Sequence, residues 1–197
     1  RRGAEIIVAA MHWGEEYKLS ANKDQQAMAQ KLCDMGVDAI VGSHPHVLEP
    51  VDLLQSTTDP GHATVVLYSL GNAVSNQRKE EMTTLTTGET EDGALFSVTF
   101  AKYPDGTVCL DAVELIPTWV NMHANSGKTE YNIIPLDVSI ATQWQERFSL
   151  TDVQILNAKA SLNRTNQIVS QGLEKVQSYL SGQKEAREAP ASTDDAA

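Results

Sequence analysis

The sequence predicts an α/β fold built on a parallel sheet, and three observations carry that prediction. A strand–helix–strand pattern with short connections fills residues 5–43, which is the signature of a βαβ unit. Its strands are near-continuous apolar runs, as expected where both faces of a sheet are covered. Three of the five histidines, His12, His44 and His46, follow strand ends, where α/β proteins place their sites.

The first strand is read over Glu5 to Trp13, with Ile6 to Met11 as its apolar run. A helix follows over Asn22 to Met35, because Asn22 with Gln25 three residues on makes a capping box and Met28, Leu32 and Met35 share a face. Gly36 suits the left-handed turn out of the helix. Val37 to Val41 is the second strand, ending at Gly42-Ser43-His44-Pro45-His46. Val47 to Leu54 reads as a weaker strand, Asp59-Pro60-Gly61 as a turn, and Ala63 to Leu70 as a strong strand closing on Gly71-Asn72. Arg78 to Asp92 is polar and Thr-rich, which predicts a mobile surface loop. Ala94 to Lys102 and Thr107 to Ile116 flank Tyr103-Pro104-Asp105-Gly106, a hairpin signature. Thr118 to Lys128 reads as irregular, with a short strand over Tyr131 to Leu136.

Asp152 to Leu180 is a long helical pattern. Ile155, Leu162, Val169 and Val176 recur every seven residues, but Lys159 and Asn166 occupy the other seam position. A docked amphipathic helix fits this better than a coiled coil. From Gln183 the chain is polar with no apolar anchor, which predicts a disordered tail over residues 183–197. The organisation expected is therefore a domain over residues 1–140, a docked helical segment over 141–182, and that tail.

With 197 residues, 41% of them apolar and 21% charged, the chain is long enough for one domain with a sizeable core. A net charge of -11, from 26 acids against 15 bases, argues against nucleic acid and anionic membrane surfaces as partners. An anionic substrate would need local positive charge, for which a bound cation is an obvious source. Cys33 falls in a predicted helix and Cys109 in a predicted strand. Two free thiols suit those positions better than a disulfide, so cysteine usage leaves the compartment open. No apolar run reaches the ~18 residues of a membrane span. Arg1-Arg2-Gly3 runs straight into the first apolar run without an initiator Met or a signal pattern. That reads as a chain cut at the edge of a core strand, with any targeting information upstream.

His44 and His46 stand two residues apart, and in extended backbone their side chains would face the same way. With His12 they could serve one metal or two adjacent metals. The competing reading is that each imidazole caps a strand or bonds a loop; three at neighbouring strand ends favour metal. Neutral imidazole suits Zn, Mn, Fe or Ni, and three such ligands leave a divalent cation uncompensated, so carboxylates are wanted. Glu16, Glu49 and Asp52 are close in sequence, but each reads better as a solvated or supporting group than as a ligand. Asn72 is a further strand-end polar residue at the same mouth, where Gly71 lets the backbone turn. His62 and His123 are expected at the surface. Asn163-Arg164-Thr165 matches a glycosylation pattern but falls in the helical stretch.

His12-Trp-Gly-Glu-Glu-Tyr17, Gly42-Ser-His-Pro-His-Val47 and Tyr68-Ser-Leu-Gly-Asn72 resemble, in order and spacing, three downstream motifs of the CapA-type poly-γ-glutamate capsule-biosynthesis family. The hairpin, Pro117-Thr-Trp119 and Tyr131-Asn-Ile-Ile-Pro135 resemble its closing strands. That family is similar to the calcineurin-like metallophosphoesterases. The resemblance implies part of a four-layer α/β/β/α sandwich with a C-terminal helix, and one or two divalent metal ions (Mn, Fe or Zn). It implies His12, His44 and His46 as metal ligands, His12 and His44 as catalytic groups acting on a substrate oxygen, and Asn72 and Glu16 as substrate-binding. The extra residue after Gly42 departs from the Gly-His-x-His pattern, and the upstream motifs that would supply a bridging carboxylate are not in this sequence.

The function implied is capsule biosynthesis with a metal-dependent phosphoesterase-like hydrolytic core at the cell surface. Poly-γ-glutamate or a similar anionic polymer, and membrane-bound synthesis proteins, are the implied partners. The rival readings are a non-catalytic surface module that binds an anionic polymer and a general metallophosphatase of the same fold.

Overall fold

The computed structural model describes residues 3–188. The strands β1 (Val8–His12), β2 (Ala39–Ser43), β3 (Val51–Gln55) and β4 (Ala63–Leu67) form one sheet in the order β1-β2-β4-β3. β1, β2 and β4 run parallel, and β3 closes the far edge antiparallel to β4. The helix α1 (Lys23–Asp34) makes the crossover between β1 and β2. Its capping box is complete: Gln25 N–H donates to Asn22 Oδ1 at 2.9 Å, and Asn22 N–H donates to Gln25 Oε1 at 2.9 Å. These bonds satisfy amides that the first helical turn leaves open. Ala29 and Cys33 on its buried face pack with Ile40, Val66 and Tyr68 of the sheet. Both cysteines are free.

The first strand differs from expectation. β1 lies at the sheet edge, with β2 as its only ladder partner among the described residues, and it alternates instead of being buried on both faces. Ile7, Ala9 and Met11 pack toward α1, whereas Val8 is 59% exposed. An apolar run reports that a strand can be buried, not that a second layer covers it.

The second sheet holds β5 (Asp92–Lys102), β6 (Val108–Asn125) and β7 (Lys128–Pro135) as an antiparallel meander. Its hairpin turn forms as expected, with Tyr103 N–H donating to Thr107 O at 2.9 Å. β6 runs straight through residues 118–125, which the sequence marks as irregular. The strand changes partner there, pairing with β5 up to Trp119 and with β7 from Thr118. Pro117 to Asn121 are all buried, so the period-2 alternation that betrays a strand is lost. Arg78 to Asp92 is also not simply a surface loop. Arg78 and Glu91 are buried and paired at 2.8 Å, and Trp119 Nε1 donates to Glu91 Oε2 at 3.1 Å. Polar composition hides burial when the polar groups satisfy one another.

The inner faces of the two sheets share a core in which Val51, Leu53, Val65 and Leu67 meet Leu110 and Val113. Into it α3 (Asp152–Glu188) lays Val169, Val176 and Leu180, while Ile155 and Leu162 join Trp119, Trp144 and Leu136 in a second cluster. Lys159 and Asn166 stay exposed, so the seven-residue stripe is a docking seam. A short helix α2 (Trp144–Arg147), inside the segment 141–182 expected to be helical, precedes it. Residues 183–188, expected to begin the tail, continue α3. Gln183 Nε2 bonds the Tyr179 hydroxyl at 2.7 Å, and the Arg187 guanidinium lies 4.2 Å from the Tyr103 ring centroid. The rest of the expected tail, 189–197, lies outside the described residues. No described helix is long and apolar enough to cross a membrane.

Candidate functional site: a histidine pocket at the strand ends

The register of the parallel pair assembles the pocket. His12 stands opposite Ser43 in the β1–β2 ladder, and Trp13 N–H donates to Ser43 O at 3.1 Å. The next residue, His44, therefore arrives beside His12, with ring centroids 4.7 Å apart and planes tilted by 47°. His46 follows at 6.4 Å from His44. The two do not converge through an extended strand, as the spacing suggests. His44 and His46 both have positive φ, 106° and 61°, so a left-handed turn around Pro45 brings their rings together. Non-glycine residues in that region carry a conformational cost and cluster at functional sites.

Gly42 makes this approach possible. A Cβ there would stand 1.8 Å from Tyr68 O and 2.5 Å from Trp13 Nε1, the two atoms joined by a 2.9 Å hydrogen bond. Gly71, at φ +70°, turns the chain after β4 and sets Asn72 beneath His46. Asn72 is 8% exposed. Its Oδ1 lies 3.1 Å from His46 Nδ1, and the two protons of its Nδ2 are shared among His46 O at 2.9 Å, Thr90 O at 2.9 Å and Gln77 Oε1 at 3.2 Å. Through these bonds Asn72 orients His46 from the edge of the pocket.

The nearby acids take other places. Glu16 is exposed on the turn after β1. Asp52 pairs with Lys175 at 2.6 Å. Glu49 is fully buried, accepts from Gln25 Nε2 at 2.5 Å through Oε2, and leaves Oε1 without a partner. The expected surface position of His62 is also corrected: it is half-buried, with Nε2 2.9 Å from Val37 O. His123 stands 3.6 Å from Glu130 on the second sheet.

Burial pushes the Glu49 carboxyl up from 4.5 to about 7, against the lowering effect of Gln25. Between those two values the folded chain keeps a proton that the unfolded chain releases, so stability falls as pH rises through the window. Above pH 7 the loss is complete, on the order of 3 kcal/mol at 1.36 kcal/mol per pKa unit. Glu49→Gln should remove this slope and raise stability at pH 8 relative to the parent, with little difference at pH 4. Urea unfolding at both pH values measures it. Equal pH dependence in both chains would show that Glu49 is solvated.

Among the described residues, no three His, Cys, Asp or Glu side chains stand in an arrangement ready to hold a metal ion. The donor set nevertheless suits a borderline divalent cation on its imidazole nitrogens. His46 has the supporting bond such a ligand uses, its Nδ1 turned to an amide oxygen. The fit is that of one side of a metal shell, without charge-compensating carboxylates. Two contributors escaped the sequence reading. Tyr17 stacks on His46 at 6.1 Å, and Gln77 bonds both Asn72 and the Tyr17 hydroxyl. Tyr17 closes the first motif and so carried a usable signal; Gln77 sits in a polar run with none.

Residues 1–77 match the family described as bacterial capsule synthesis protein PGA_cap. The chain is 43% identical over 77 residues to the PGA biosynthesis protein CapA of Bacillus subtilis (strain 168), covering 39% of this chain and 18% of that protein. It is 37% identical over 112 residues to the capsule biosynthesis protein CapA of Bacillus anthracis, covering 57% of this chain and 23% of that protein. The chain thus spans less than a quarter of the length of these curated relatives. Across residues 1–77, which carry β1 to β4, α1, His12, His44, His46, Asn72 and Gln77, the chain is similar to the CapA-type capsule synthesis family.

Proposed function

We propose that the chain supplies the histidine side of a divalent-metal site to a capsule biosynthesis protein of the cell envelope. Its metallophosphoesterase-like core hydrolyses or handles an anionic polymer such as poly-γ-glutamate, working with membrane-bound synthesis proteins. The observation that carries this reading is the convergence of His12, His44 and His46, at 4.7 and 6.4 Å between successive rings.

These three residues would hold the cation, which supplies Lewis acidity toward a phosphoryl or acyl oxygen. His46 is oriented by Asn72 and presents its other nitrogen to the pocket. His12 and His44 hold or move a proton at the substrate oxygen, and exposed Glu16 meets the polar part of the ligand. The carboxylates come from outside this chain, in a protein of its relatives' length. The same remainder would add the cover over β1 and complete a four-layer sandwich, of which α1 and the two sheets are three layers. A binding-only module is favoured by one observation, that Glu49 and Asp52 are both engaged away from the pocket.

Zinc titration calorimetry on the full-length protein tests the metal site. The parent should bind Zn²⁺, and the double change His44→Ala with His46→Ala should abolish binding. Unchanged affinity in that variant sinks the reading. Release of shortened polymer by the metal-loaded parent separates the hydrolase from the binding module.

A further inference from the structure

We infer that Tyr17 and Gln77 are positioning residues for His46, holding it as the Nδ1–H tautomer so that Nε2 is the nitrogen offered to a divalent cation; the second clause rests on the metal reading above. The two residues close a circuit with Asn72 around the imidazole. His46 Nδ1 lies 3.1 Å from Asn72 Oδ1, Asn72 Nδ2 donates to Gln77 Oε1 at 3.2 Å, and Gln77 Nε2 donates to the Tyr17 hydroxyl at 3.0 Å. The Tyr17 ring then returns to His46, stacked at 6.1 Å and 27° between planes.

Donor and acceptor accounting fixes the proton. Asn72 Nδ2 faces three acceptors, His46 O, Thr90 O and Gln77 Oε1, so the amide cannot be turned over without losing them. Its Oδ1 must therefore face His46 Nδ1, and an amide oxygen only accepts. A neutral His46 then carries its proton on Nδ1 and leaves Nε2 as an open lone pair. The amide has two protons for these three acceptors, so Gln77 Oε1 shares one with a backbone carbonyl and reinforces the same orientation, while Gln77 Nε2 is spent on Tyr17.

The backbone around the circuit is fixed as tightly. Gln77 N–H donates to Ser75 Oγ at 3.0 Å, and Gln77 O accepts from Thr90 Oγ1 at 2.7 Å. Tyr17 N–H donates to Pro45 O at 2.8 Å, tying the first motif to the turn between His44 and His46. Tyr17 itself has φ 64°. Three non-glycine residues with positive φ thus meet at one imidazole, and observed strain of this kind points to a functional constraint.

Gln77→Leu breaks the circuit, and Tyr17→Phe keeps the ring but removes the hydroxyl. Gln77→Glu preserves the circuit, because a carboxylate accepts from both Asn72 Nδ2 and the Tyr17 hydroxyl. Nitrogen chemical shifts of histidine-labelled protein, read where the ring is neutral, report the tautomer without metal; calorimetry with Zn²⁺ alone on the full-length protein reports affinity. His46 should be one Nδ1–H tautomer in the parent and lose part of that population in Gln77→Leu, where only His46 O and Thr90 O still hold the Asn72 amide, with Zn²⁺ bound about 10-fold more weakly. Tyr17→Phe should move both readouts the same way by less, and Gln77→Glu should restore both. A folded Gln77→Leu that retains the single Nδ1–H tautomer overturns the inference. No Zn²⁺ binding by the parent, with the tautomer still shifting in Gln77→Leu, overturns the metal reading and leaves the positioning role standing.

Discussion

Arg164→Ala should destabilise the chain by about 3–5 kcal/mol, the cost of stripping one partner from a buried ion pair. Arg164 Nε and Nη2 each donate to Asp92 at 2.7 Å, and Nη2 also reaches Gly88 O at 3.2 Å. The Asp92 side chain is 2% exposed, and burial pushes its carboxyl up to about 6 even with Arg164 lowering it. Without the guanidinium, that carboxyl moves further up and must either stay charged and unpaired or take a proton. An acid whose folded pKa is raised loses stability as pH rises from its unfolded value through its folded one. The loss should therefore be larger at pH 8 than at pH 5. Urea unfolding at both pH values decides it, and Asp92→Asn combined with Arg164→Ala should recover part of the loss. A loss under about 1 kcal/mol, independent of pH, would mean the pair behaves as an exposed one. The effect also reaches the pocket, because Asp92 O accepts the Asn72 backbone amide at 3.1 Å.

Gly42→Ala should cost about 1–3 kcal/mol or more, the range for forcing atoms into packed structure, and should disturb the pocket beyond that. The added methyl would meet Tyr68 O at 1.8 Å. Because that oxygen is backbone of the segment following β4, no side-chain rotation relieves the clash. Relief requires β2 to move from the chain beside it or the Trp13–Tyr68 hydrogen bond to open. Either movement displaces His44, two residues on, from His12. Thermal unfolding measures the first effect, and weaker Zn²⁺ binding by the full-length protein measures the second. A variant with parental stability and affinity would show that the close approach has slack.

These expectations depend on contacts of very different legibility. The capping box at Asn22 and Gln25, the Tyr103–Gly106 hairpin and the seam of α3 were readable because each is local, a matter of residue type at a fixed offset. The neighbourhood of β1, β2 and β4 followed from short connections and the βαβ pattern. What escaped is non-local. β6 was lost where Pro117 to Asn121 are buried and alternation fails. The Arg78–Glu91 pair was lost because its members are 13 residues apart in a run whose polarity imitates a loop.

The pocket divides in the same way. His12, His44 and His46 announced themselves by residue type at strand ends, and their meeting depends only on which strands are neighbours. How they meet was not readable, since the spacing suggested an extended pair and the chain uses a left-handed turn instead. The supporting groups were harder still. Asn72 was visible as a polar residue near the mouth, but its role emerges only from three acceptors contributed by His46, Gln77 and Thr90.

The most direct test is an anomalous difference map from crystals of the full-length protein grown with Zn²⁺. A peak is expected about 2.0–2.1 Å from His46 Nε2 and from a nitrogen of His44 or His12, the usual zinc–imidazole distance. A zinc peak elsewhere, with the three imidazoles unligated at saturating metal, would contradict it.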